Sequence, residues 1–121
     1  MGRPLDLCDA IDPGCDGGIG VAIDVYHVWW DYAVRDQIAR GGNTKRINAF
    51  HVCDWLVPTT DLLLDRGMMG DGVIKIAALR QDVEAAGYAG FVETEIFSRY
   101  WWSQSEPEVL QLCGQRMTSI C

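Results

Sequence analysis

IGVAIDVYHVWW, residues 19–30, is a nearly continuous apolar run rich in β-branched and aromatic side chains. Fed by a glycine-rich turn over 14–20, such a run predicts a strand buried on both faces. Toward the N-terminus, residues 4–11 (PLDLCDAI) read as the end of a helix that Pro13 and Gly14 stop. Toward the C-terminus, Asp31 is placed to cap a helix whose Val34 and Ile38 share a face, with Gly41 and Gly42 placed to end it. A second strand is expected over 46–53 (RINAFHVC) and a third over 90–97 (GFVETEIF). Between them, the stretch from Asp54 to Gly70 is too long for an ordinary connection and reads as a functional loop. Asp71 or Gly72 then opens a helix carrying Ile76, Leu79, Val83 and Ala86 at helical spacing, with Gly87 as its stop. Ser105 and Glu108 have the spacing of a capping box at the head of a last helix, whose expected buried stripe is Val109, Cys113, Met117 and Ile120.

A helix end followed by three strand–helix units predicts an α/β fold with a parallel sheet and outer helices, as a single domain over 1–121. Two architectures satisfy this pattern, an open doubly wound sheet and an arc of a (β/α)8 barrel. No Gly-x-Gly-x-x-Gly follows a predicted strand, so the dinucleotide-binding version of the first has no support.

Composition narrows the function classes. With 49% hydrophobic and 22% charged residues the sequence is that of a globular domain. A net charge of −7 opposes binding to nucleic acid or anionic membrane, and no basic patch interrupts it. No run approaches the roughly 20 apolar residues of a membrane helix, and MGRPLDLCDA does not read as a signal peptide, so a cytoplasmic location is expected. Five cysteines (Cys8, Cys15, Cys53, Cys113, Cys121) without a Cys-x-x-Cys pair read as reduced thiols filling apolar space rather than as a zinc site.

In either architecture ligands gather at the carboxyl ends of the strands. Three apolar runs end there on an ionisable residue where a structural strand would carry Val or Ile: Asp24, His51 and Glu95. Their separations are those of successive βα units, so a parallel sheet can bring them to one point. Two carboxylates and an imidazole suit a divalent metal, Mn²⁺, Mg²⁺, Co²⁺ or Zn²⁺. His27 follows Asp24 and is placed either to contact substrate and orient a ligand or to pack against Trp29 and Trp30. Asp54 and Arg66, in the long loop, are candidate substrate contacts, Arg66 through a forked grip on an anionic group. Glu93 shares the strand parity of Glu95 and ranks below it, being further from the carboxyl end. The pairs Trp29-Trp30 and Trp101-Trp102 offer an apolar wall for a sugar, although packing is the commoner role.

The strings IDVYHVWWD (23–31), HVCDWLVPT (51–59), DRGMMGDGVI (65–74) and EAAGYAGFVETEIFS (84–98) closely resemble the sugar phosphate isomerase/epimerase family, with its xylose isomerase-like (β/α)8 barrel. The resemblance implies a partial TIM barrel made of about three C-terminal βα units, preceded by the tail of the fifth helix. It implies a divalent metal held by Asp24, His51 and Glu95, with His27 matching a substrate-proximal histidine. It also implies that Glu95 transfers a proton at the carbon beside a carbonyl, through a metal-stabilised ene-diolate. Lys75 stands in GDGVIKI where relatives usually carry an acidic residue.

A barrel of this type takes about 250 residues, against 121 here, and the family's fourth ligand, a Glu on an earlier strand, has no counterpart in the chain. Two readings follow: a metal-dependent sugar or sugar-phosphate isomerase/epimerase or its C-terminal portion, and a non-catalytic barrel fragment or split-gene subunit. Open sheet edges lead to an expected partner, another copy of the chain or a complementary barrel half. A metal-dependent endonuclease of the same superfold is a third class, which the acidic balance disfavours.

Overall fold

The computed structural model describes residues 1–14 and 18–121. The chain runs α1 (Gly2–Ile11), β1 (Val21–Asp24), α2 (Val25–Val28), α3 (Val34–Asn43), β2 (Ile47–Val52), β3 (Asp54–Trp55), β4 (Arg66–Gly67), α4 (Ile76–Ala85), β5 (Val92–Thr94), α5 (Arg99–Trp102) and α6 (Glu106–Ser119). The strands β1, β2 and β5 form a parallel three-stranded sheet in that order, and β3 and β4 pair as a short antiparallel ribbon inside the long loop. This is the α/β arrangement expected of successive βα units. Among the described residues no helix is long and apolar enough to cross a membrane.

The core lies between the sheet and its helices. Ile23, Phe50 and Val52 meet Leu5 and Cys8 of α1, Val34 and Ile38 of α3, and Ile76, Leu79 and Val83 of α4, all buried. Removing each large aliphatic or aromatic side chain from water contributes roughly 1.5–3 kcal/mol. The helical spacing read from Ile76, Leu79 and Val83 is therefore the buried stripe of α4. In α6, by contrast, Val109, Cys113 and Met117 pack against the core without being fully buried, as does Ile120 at its C-cap.

Several boundaries differ from the sequence expectation, each for a local reason. The run over 19–30 is extended only as far as Asp24, whose carboxylate accepts a hydrogen bond from Tyr26 N at 2.9 Å and so starts α2. The third strand is confined to 92–94 rather than 90–97. Gly42 does not end α3; the helix continues to Asn43, and a Cβ at Gly42 would collide with the carbonyl of Ala86, so the glycine lets the ends of α3 and α4 touch. Gly87 does stop α4, with φ +90, a conformation glycine adopts without strain. The helix α4 begins at Ile76 rather than at Asp71 or Gly72. Ser105 is the N-cap residue of α6 but makes no side-chain capping bond. Asp31 accepts from Ala33 N at 2.9 Å just ahead of α3. Cys8, Cys53, Cys113 and Cys121 are free thiols, while Cys15 and part of the glycine-rich turn lie outside the described residues.

At the amino end of β2, Arg46 is buried and acts as a clamp. Its Nε donates to Asp9 Oδ1 at 3.0 Å, its Nη1 to the carbonyl of Ile19 at 2.9 Å, and its Nη2 to the carbonyl of Asp12. Arg40 of α3 adds a bond to Asp6 at 2.7 Å, so α1 is tied to both the sheet and its neighbouring helix.

Candidate metal centre

Asp24 ends β1, His51 lies near the end of β2, and Glu95 follows β5, so parallel strands deliver all three to the same rim. Register does the placing. Asp24 pairs with His51, and His51 pairs with Glu93 across the sheet. Glu95 N donates to the carbonyl of Val52 at 3.0 Å, which carries the alignment past the formal end of β5. One ligand atom from each of Asp24, His51 and Glu95 lies within 4.8 Å of the others. An oxygen, a nitrogen and an oxygen at that spacing form a donor set that fits a borderline divalent cation.

Two further groups border the cluster. His27, on α2, has Nε2 at 3.6 Å from Asp24 Oδ2 and a largely exposed side chain. Glu93 Oε2 lies 3.2 Å from His51 Nε2, closer than the 3.7 Å between His51 Nδ1 and Glu95 Oε1. Glu93 was readable from strand parity, and the structure brings it to the imidazole.

Arg66 enters from the loop. Pairing of β4 with β3, and a bond from Arg66 N to the carbonyl of Phe97 at 3.0 Å, fix its backbone beside the sheet end. Its side chain, only 4% exposed, donates from Nη1 to Asp24 Oδ2 at 2.9 Å and to Glu95 Oε2 at 2.9 Å. The guanidinium lies over the rings of Tyr26 at 4.5 Å and Phe97 at 5.0 Å. Its Nη2 is 3.2 Å from His27 Nε2; a guanidinium only donates, so His27 accepts there and its other ring nitrogen carries the proton. Burial works against the charge on Arg66, but the carboxylates of Asp24 and Glu95 outweigh it and raise the pKa above the ordinary arginine value. The expected forked grip on a substrate anion is thus directed inward, onto the protein's own acids. Sequence reasoning missed Tyr26 and Phe97 as the walls of this pocket. The parity of Phe97 with Glu93 and Glu95 was the signal that could have found it.

Asp54 stands elsewhere. It is buried, and its carboxylate accepts from Trp55 N, Gly70 N and Ile74 N, each at 2.9 Å. The expectation of a substrate contact gives way to a structural role, because both oxygens are occupied in folding the loop. Burial, then the carboxylate of Asp24, push the neighbouring Cys53 thiol up to about 12, which keeps it protonated and unreactive. Trp29 packs on Trp55 with ring centroids 5.8 Å apart, whereas Trp30 and Trp102 are exposed.

A solved structure of protein SMc04130 from Sinorhizobium meliloti 1021 superposes with a TM-score of 0.94 at 53% sequence identity, over 99% of this chain and 42% of that one. A structure of the IolI protein, described with a bound zinc atom, superposes with a TM-score of 0.81 at 14% identity, again over 99% of this chain and 42% of that one. The chain therefore spans 42% of the length of either neighbour. No match was found among curated proteins. The model of the xylose isomerase-like TIM barrel family matches residues 3–114, and with its parallel strands, outer helices and rim cluster the chain belongs to that family.

Proposed function

We propose that the chain carries the metal-binding and proton-transfer part of a sugar or sugar-phosphate isomerase/epimerase. The observation that carries this reading is the convergence of Asp24, His51 and Glu95 to within 4.8 Å at the strand ends. The zinc described in the IolI structure supports a divalent metal for this rim, with Mn²⁺, Mg²⁺, Co²⁺ or Zn²⁺ suited to the donors. Bound there, such an ion supplies stabilisation of negative charge on a substrate oxygen.

The protein's own residues do the rest. Glu95 is about one-third exposed, so a carboxylate oxygen can reach a substrate carbon and take the proton beside a carbonyl. Its Oε2 is held by Arg66, which leaves Oε1 as the proton acceptor. His27 keeps its Nε2 turned to Arg66 and presents an N–H from its exposed side to a substrate hydroxyl or carbonyl oxygen.

The decisive experiment is deuterium exchange at the carbon beside the carbonyl of ketoses and ketose phosphates in D₂O with Mn²⁺, read by NMR. Exchange that vanishes in Glu95→Gln supports the assignment. Absence of exchange from the wild-type chain with any tested ketose and metal refutes catalysis by this chain alone.

A second reading has its own observation. β1 and β5 are open edges of the sheet, and beside β5 a groove of about 590 Å³ is lined by Trp101, Trp102, Val109 and Leu110. With a chain spanning 42% of either solved neighbour, this reading makes it a barrel portion that turns over only when another copy or a complementary barrel half covers those edges. Light scattering is expected to show a dimer or larger assembly, and a monodisperse monomer contradicts it.

A further inference from the structure

One nitrogen of Arg66 bridges the two acids assigned to the metal: Nη1 is 2.9 Å from Asp24 Oδ2 and 2.9 Å from Glu95 Oε2. We propose that Arg66 is a resident counter-cation that competes with the metal for Asp24 and Glu95, and so sets how tightly the site holds an ion. This deepens the metal reading above and rests on it.

The competition is electrostatic. Carboxylates with donor atoms this close repel one another unless a positive charge neutralises them. Arg66 supplies that charge from within the fold. It cannot leave by losing its proton, since a guanidinium stays charged in proteins. Nor can it readily swing away, because the rings of Tyr26 and Phe97 flank it at 4.5 and 5.0 Å and its backbone is held by β3 and by the carbonyl of Phe97. An ion entering between Asp24 and Glu95 must therefore share their oxygens with a fixed positive neighbour. Both oxygens of Asp24 are already engaged, Oδ1 by Tyr26 N and Oδ2 by Arg66. The repulsion between ion and guanidinium is subtracted from every binding event, while the same guanidinium keeps the carboxylates in place between events.

This predicts two opposite effects of one substitution. Arg66→Met keeps an apolar stem beside the rings but removes the charge, whereas Arg66→Lys keeps the charge. In calorimetric titration of the 121-residue chain with Mn²⁺, Arg66→Met is expected to bind about tenfold or more tightly than wild type, given the size of a nearby unit charge. Arg66→Lys should stay near wild type. The melting temperature of Arg66→Met without added metal should fall, and Mn²⁺ should raise it by more than it raises wild type. If Arg66→Met is unfolded without metal, addition of Mn²⁺ should restore its circular dichroism. Equal or weaker Mn²⁺ binding by Arg66→Met, or no refolding of an unfolded variant by Mn²⁺, overturns the proposal. An Asp24→Asn control separates the two levels. If Asp24→Asn abolishes binding while Arg66→Met does not tighten it, the metal site stands and only the competition fails. If Asp24→Asn binds Mn²⁺ as wild type does, the site assignment itself fails and the competition falls with it.

Discussion

Asp24 of β1 and His51 of β2 are register partners on neighbouring parallel strands, so a carboxylate and an imidazole remote in sequence stand side by side at one rim. The site is thus a product of strand register. A slip of one residue would turn His51 to the opposite face and dismantle the cluster.

Asp24 has two duties, and two substitutions separate them. Asp24→Asn keeps an oxygen for Tyr26 N and removes the charge facing Arg66 and the proposed metal position. Asp24→Ala removes both. Mn²⁺ titration is expected to show binding lost in each, while chemical denaturation shows Asp24→Ala less stable than Asp24→Asn by about 1 kcal/mol, the typical contribution of a helix cap.

Asp54 organises the loop that delivers Arg66. Replacing it with Ala leaves the amides of Trp55, Gly70 and Ile74 without their acceptor. At roughly 1 kcal/mol for each bond, the loss should total about 3 kcal/mol in urea unfolding. Limited proteolysis of the folded variant should cut within 54–75, where wild type resists.

Arg46→Met tests the clamp at the opposite end of β2. The variant loses the bonds to Asp9 and to the carbonyls of Ile19 and Asp12, while Arg40 still holds Asp9, and a lower midpoint in urea unfolding is expected. Mn²⁺ affinity of the folded variant should remain that of wild type, because Arg46 lies at the end of β2 opposite the rim.

Cys53 offers a pH test with a definite sign. Its thiol is pushed up to about 12 by burial, from an ordinary value of 9.0. A group held protonated in the fold contributes stability that is intact below its unfolded value and declines as pH rises above it, once the unfolded chain ionises first. Stability should therefore fall from about pH 9 upward, and Cys53→Ser should flatten that part of the profile. In native protein at pH 8.5, iodoacetamide should label Cys113 and Cys121 before Cys53, as peptide mass spectrometry can show.

The convergence at the rim was legible because its residue types are written against the grain of their elements. An Asp, a His and a Glu each end an apolar run, and such runs place their ends together in a parallel sheet. The stripe of α4 was legible for the same reason, as a periodicity. What the sequence concealed depends on partners remote in the chain. VYHVWW looks extended by composition, yet Val25–Val28 is a helical turn capped by the bond from Tyr26 N to Asp24. Asp54 and Arg66 looked alike as polar loop residues, but one folds the loop and the other reaches the rim; only the path of residues 54–75 distinguishes them. Gly42 looked like a helix stop because nothing local reveals that Ala86 presses against it.

The strand β2 joins two very different neighbourhoods, with Arg46 immediately before its first residue and His51 close to its last. At about 3.3 Å per residue, the Cα atoms of Arg46 and His51 are some 17 Å apart along one stiff rod. The anchor stands at one pole and the ionisable rim at the other. Substitutions among the rim side chains thus leave the anchorage of the rod untouched.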